Sequence, residues 1–213
     1  MTSSYLLRGV LCAVFGLSVT SVSIWAQAPD KIRDDADTAV GAIEGQLLNS
    51  QDLWQRYVVL QNLPSAALAA GDVEKAEASA KELLKVGEEI DKSSRYKSPI
   101  LSDTTHIGNT ILGLIELKRG NTASAKEHLL SSARFTREAH PVHMSFGPSM
   151  ALAKALADRG EREVVIEYLE LCAKFWENED GRLEKWTRVL KNGGTPEFGG
   201  NSRYAVDEWR FRR

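Results

Sequence analysis

Three short segments of this chain carry a glycine in the same setting, and together they restrict the fold more than any other feature. They read Ala69-Ala70-Gly71-Asp72-Val73-Glu74-Lys75-Ala76, Lys118-Arg119-Gly120-Asn121-Thr122-Ala123-Ser124-Ala125 and Asp158-Arg159-Gly160-Glu161-Arg162-Glu163-Val164-Val165. Each glycine follows a stretch of helical periodicity and precedes another. A glycine just past a helix can take the left-handed conformation that satisfies terminal carbonyls, and an Asp or Asn after it can accept from the next helix's free amides. Each segment is therefore expected to be a tight turn between two antiparallel helices.

The flanking patterns agree. After the glycines, Val73, Ala76, Ala80 and Leu83, then Ala125, Leu129 and Ala133, then Val165, Tyr168, Leu169, Cys172 and Phe175 recur at the 3.6-residue period, one buried face per helix. Before the glycines the apolar sets are broader: Val58, Val59, Leu60, Leu63 and Ala67, then Ile107, Ile111, Leu112, Leu114 and Ile115, then Met150, Leu152, Ala153, Leu156 and Ala157. Such helices sit between neighbours. Ala76 and Ala125 allow close approach within their pairs, whereas Val165 is expected to hold the third pair slightly apart. Ala36, Val40, Ile43 and Leu47 behind the acidic Asp34 and Asp35 predict an N-terminal capping helix. Leu183, Trp186 and Leu190 before Gly193-Gly194 predict a C-terminal one.

Composition excludes several classes. With 213 residues, 43% hydrophobic and 26% charged, the chain has the make-up of a globular protein and not of a disordered one. Its formal charge of -2 supplies no field to hold nucleic acid or an anionic membrane.

The first 28 residues read as a leader. Residues 1–8 carry one Arg and no acid, Gly9 to Trp25 runs without a charge, and Ala26-Gln27-Ala28 offers small side chains to a signal peptidase. An uncleaved anchor is the competing reading, because that run approaches the roughly 20 residues that cross a bilayer. The expected organisation is a signal peptide over 1–28, a helical domain over 29–192 and an aromatic, basic tail over 193–213. The mature chain would be exported, periplasmic or secreted, without stable membrane insertion. It would retain Cys172 as its single cysteine, since Cys12 leaves with the leader, so no intrachain disulfide is expected. Cys172 lies in an apolar stripe and reads as a small buried hydrophobe.

Chemistry is sparsely marked. There is no P-loop, no G-x-G-x-x-G, no G-x-S-x-G, no H-E-x-x-H and no C-x-x-C. The histidines are His106, His128, His140 and His143. His140-Pro141-Val142-His143 has a spacing seen in metal sites, but Pro141 disfavours a helical display and no third ligand is evident, so no metal and no cofactor is expected. His106 and Asn109, one turn apart, are candidates to hydrogen-bond a ligand at a groove edge. In Ser145-Phe146-Gly147-Pro148-Ser149-Met150 the glycine and proline fix a turn before a helix, and Phe146 and Met150 are candidates to line a peptide groove. Trp176 and Trp186 read as core or end-cap packing. The tail segment carries Tyr204, Trp209 and Phe211 with Arg203, Arg210, Arg212 and Arg213 against Asp207 and Glu208, a net of +2 that is weak for membrane or nucleic acid. It is expected to fold back on its own domain or to serve as a docking peptide.

Leu112-Gly113 followed by Gly120 and Ala125 resembles the tetratricopeptide repeat, in which a Leu-Gly pair, a turn glycine and an alanine stand at those offsets. The likeness covers roughly residues 52–178. The other pairs match the turn glycine, with Pro64 and Ala153 where the family prefers glycine, and the family's closing proline is missing. The glycines are 49 and 40 residues apart where the family period is about 34, leaving insertions near 93–99 and 138–143 that read as loops. The resemblance implies an all-α right-handed superhelix, an α-solenoid of about three stacked antiparallel helix hairpins with a capping helix at each end. It also implies a concave groove for a protein or peptide partner, lined by Gln61, Thr110, Lys118 and Lys154, with His106 and Asn109 at its edge.

The leading expectation is thus an exported, non-catalytic binding protein, a monomer or weak homo-oligomer. One alternative is a hydrolase or metal-binding protein with a site formed by His106, His140 and His143 between the second and third hairpins. Another is a structural envelope component that self-assembles through Trp176, Trp186 and the tail.

Overall fold

Gly71, Gly120 and Gly160 adopt φ of +87°, +84° and +87°, the left-handed region that the three shared segments call for. In each turn the amide after the glycine reaches back five residues: Asp72 N–H to the Ala67 carbonyl at 2.9 Å, Asn121 to Glu116 at 2.9 Å and Glu161 to Leu156 at 3.1 Å. A fourth copy occurs at Gly193, φ +82°, where Gly194 N–H reaches Val189 at 3.0 Å. These bonds satisfy helix-terminal carbonyls and reverse the chain within two residues. The expected side-chain cap forms at the first turn only, where Asp72 Oδ1 accepts from Lys75 N–H at 2.9 Å. Asn121 instead donates from its side chain to Glu116 at 2.7 Å, and Glu161 receives the Lys126 ammonium at 2.9 Å.

The computed structural model describes residues 30–94, 98–135 and 138–202, the side chains of 30–33 excepted. The leader, Tyr96 and its neighbours, and the aromatic segment from Arg203 onward lie outside the described residues. Those described are all-helical, with no strand. The helices are α1 (Asp30–Leu48), α2 (Leu53–Leu60), α3 (Leu63–Ala70), α4 (Val73–Ser93), α5 (Ile100–Lys118), α6 (Thr122–Ser131), α7 (Pro141–Phe146), α8 (Ala151–Ala157), α9 (Arg162–Cys172) and α10 (Arg182–Lys191). A 3-10 turn over Gly199–Ser202 follows. None of them is long and apolar enough to cross a membrane.

Helices joined at a turn glycine pack together, α3 with α4, α5 with α6 and α8 with α9, and α4 also packs on α5 and α6 on α9. α1 lies against α2 and α3 with Ala36 and Val40 buried, and α10 closes on α9 with Leu183, Trp186 and Leu190 buried. Ala76, Ala125 and Val165 are fully buried. Gly113 sits where α5 meets its neighbours, and a Cβ there would lie 2.3 Å from Leu152 Cδ2 and 3.1 Å from His128 Cβ, so a side chain at this position would have to displace Leu152.

Two local expectations change. The helix before Gly71 is broken into α2 and α3 at Gln61-Asn62, because Pro64 has no amide for the Leu60 carbonyl. The insertion near 138–143 is partly helical, not a loop, since Pro141 opens α7 at a first-turn position where its missing amide costs nothing.

Contacts also link one turn to the next. Glu77 of α4 pairs with Arg119 beside Gly120, Lys126 of α6 with Glu161 beside Gly160, and Arg162 Nε donates to the Gly194 carbonyl at 3.2 Å. Arg119 and Lys81 hold the Glu77 carboxyl at about 2.

Candidate functional site

Asp103 lies in the first turn of α5 and is buried between two elements that bring it polar partners. Tyr57 of α2 donates its hydroxyl to Oδ2 at 2.9 Å. His143 of α7 brings Nε2 to 3.1 Å from Oδ1, a close polar contact without the alignment of a hydrogen bond, and its Nδ1 is buried without a partner. Burial alone would raise the Asp103 carboxyl, but His143, His140 and the Tyr57 hydroxyl more than offset it and hold it below its ordinary value. Burial and the Asp103 charge push the Tyr57 hydroxyl up. The first of the groups that lower it, His143, is supplied by α7.

One turn along α5, His106 serves a different purpose. Its Nε2 accepts from Ser149 N–H at 2.9 Å, and because an amide only donates, the ring proton must sit on Nδ1, which is 3.1 Å from the Ser132 carbonyl. Burial, with His143 nearby, pushes this imidazole down to about 3, so it is neutral at physiological pH. Tyr168 donates to the Ser149 carbonyl at 3.1 Å, completing a stitch between α5, the end of α6, the start of α8 and α9.

The His143 ring meets the edge of His106 with centroids 4.7 Å apart, and stacks on Phe135 at 6.1 Å. Phe135 in turn packs on Phe175 at 4.8 Å. These two rings, with Met144, Leu171 and the buried Trp176, form the apolar floor of an open cleft of about 680 Å³. Arg134 and Lys174, together with Glu138 and Glu177, stand among its lining. Phe135 thus touches both the His143 ring and the cleft.

The residues expected to form a site are dispersed. His106 and Thr110 are 2% exposed and Met150 has no exposed surface, so these three pack the interior and do not line a groove. The reason is that α5 is covered by α3, α4, α6 and α8, while the 3-10 turn lies on α8 and the Asn201 carbonyl takes Met150 N–H at 2.8 Å. Asn109 turns away from His106 and pairs with His128 Nδ1 at 2.9 Å. Gln61 is half-buried at the break between α2 and α3, Lys118 is exposed at the end of α5, and Lys154 is tied to Asp158 at 2.7 Å. Phe146 is 62% exposed. The rings of His106, His140 and His143 do gather, His140 lying 6.0 Å from His143. Both nitrogens of His106 are already engaged by backbone, and among the described residues no group of three His, Cys, Asp or Glu is arranged to hold a metal.

Asp103 and Tyr57 went unmarked by motif. A signal existed: Asp103, His106 and Thr110 stand three and four residues apart along one helix, a polar line that needs partners once that face is covered.

No family model, no curated protein and no solved structure matches this chain.

Proposed function

We propose that this chain is an exported, non-catalytic helical-repeat protein, a right-handed superhelix of three stacked hairpins between capping helices, that holds a peptide segment of a protein partner. The cleft floored by Phe135 and Phe175 carries the reading. Half-buried aromatic, Leu and Met side chains give an apolar anchor a place to remove surface from water, at roughly 25 cal/mol per Å², and charges of both signs at the rim orient a chain that carries both. The volume suits a few residues. The stacked arrangement is supported by the relay of contacts from each turn to the next, and export by the uncharged run and small-residue triplet ahead of Pro29.

The test is site-specific photocrosslinking in the producing cell, with a benzophenone amino acid replacing Glu177 at the cleft or Glu88 on α4 as control. A discrete adduct at 177, absent at 88 and lost on Phe135→Ala, is expected. Equal labelling at both positions, or none at 177, overturns the cleft as a binding site. Mass spectrometry of the exported protein should find Pro29 at its N-terminus, and an intact Met1 overturns export by cleavage.

A further inference from the structure

We infer that the cleft is filled in cis by this chain's own segment 203–213, so that a partner gains it only by displacing that segment. The inference rests on the reading of the cleft as a peptide site and names its resident ligand. Three observations carry it.

The first is where the described chain stops. Asn201 is buried and clamped: its Nδ2 donates to the carbonyls of Phe146 at 2.9 Å and Pro148 at 3.1 Å, and its own carbonyl takes Met150 N–H. Gly147, between those two carbonyls, lies so close to Trp176 that a Cβ would fall 2.3 Å from its ring. Trp176 and Met144 line the cleft, so the described residues stop near its edge. Eleven residues reach up to about 36 Å, well beyond the span of a cleft of this size.

The second is chemical match. The segment holds Tyr204, Trp209 and Phe211, three aromatic anchors for a floor made of Phe135, Phe175, Leu171 and Met144. Its net charge is +2, and at the rim Arg134 is already paired with Glu167 at 3.1 Å, which leaves Glu138 and Glu177 against Lys174. Arginines for the two acids, and Asp207 or Glu208 for the lysine, complete the fit.

The third is an exposed aromatic near that end. Phe146, whose carbonyl Asn201 holds, presents its ring to solvent close to where the described residues stop, within reach of Tyr204. A short tether supplies an effective concentration on the order of 1 mM, so a segment with an intrinsic Kd of about 0.1 mM fills the cleft roughly ten to one and lowers a partner's apparent affinity about tenfold.

The experiment titrates a fluorescein-labelled peptide of residues 203–213 into the full chain, the chain stopped after Ser202, and the full chain carrying Trp209→Ser with Phe211→Ser. A scrambled peptide of the same composition controls for charge. Expected is saturable binding to the second and third proteins, at least tenfold weaker binding to the first, and loss on adding Phe175→Ala to the double variant. The double variant guards against a truncated chain that fails to fold. Equal binding to all three, or binding indistinguishable from the scrambled peptide, overturns the inference. A dimer in sedimentation that disappears in the double variant also overturns it, in favour of exchange between copies. Should the peptide fail while the crosslink at 177 to another protein persists, the in-cis occupant falls and the cleft reading stands; failure of both removes both.

Discussion

Nε2 of His143 stands 3.1 Å from Oδ1 of Asp103, and through that contact a six-residue helix, whose Phe146 carbonyl Asn201 also holds, is fastened to the buried start of α5. Short helices do not hold themselves in water, so the position of α7, and with it the Met144 wall of the cleft, depends on this carboxylate.

Asp103→Asn is accordingly expected to lower stability by about 2–4 kcal/mol, because His143 and the Tyr57 hydroxyl lose a buried negative partner. Hydrogen exchange should rise over 141–146 more than over α9. Urea unfolding with exchange mass spectrometry checks both, and an unchanged midpoint refutes the role given to Asp103.

Acid should weaken the fold through two groups whose windows meet near pH 4. His106 is held neutral with a value of about 3, so between about 6.5 and 3 the unfolded chain binds a proton that the native chain refuses, and stability falls with falling pH by up to about 1.4 kcal/mol per unit. Asp103 is held below its ordinary value, so its contribution is present above the usual carboxylate range and is lost below about pH 4 as the folded group titrates. Urea midpoints from pH 7 to 5 should decline, and the decline should flatten in His106→Gln. A slope unaltered by that change would rule out His106 as its source.

Two glycines should fail for different reasons. Gly120→Ala meets nothing within 4 Å but forces alanine to φ +84°, costing about 1 kcal/mol, and Gly120→Asn should recover part of it. Gly113→Ala drives a methyl against Leu152 and is expected to cost about 1–3 kcal/mol, partly relieved by Leu152→Ala. Thermal melts of the single and double variants distinguish strain from overpacking.

Cys172 should be inert in the folded chain. It has no exposed surface, and burial pushes its thiol up, so thiolate reagents must wait for opening. Labelling at Cys172 should be slow and should accelerate in step with urea; fast labelling of that residue in buffer would contradict its burial.

The turns were legible because glycine at a helix end has few physical alternatives, and Gly71, Gly120 and Gly160 behave alike. Periodicity likewise located Ala76, Ala125, Val165 and the buried faces of α1 and α10. Thr110 and Met150 were legible as helix residues but not as interior ones, because repeat offsets describe which way a residue faces within a pair and say nothing of what a later segment lays over it. The Asn201 clamp on 146–150 is such a segment. Phe135 and Phe175 meet across 40 positions in irregular or helix-end chain, where no period exists to align them. Asp103 was hidden for a related reason: its partners Tyr57 and His143 are each about 40 or more positions away.

The grip of Asn201 on a carbonyl 55 positions upstream has a further bearing on biogenesis. A growing polypeptide emerges from its N-terminal side, so the α1 to α6 region can settle while translation continues, yet Met150 and the approach to α8 must wait for Asn201 to be made. During that interval a holding chaperone or a protease would find the stretch from Phe146 to Met150 unfastened.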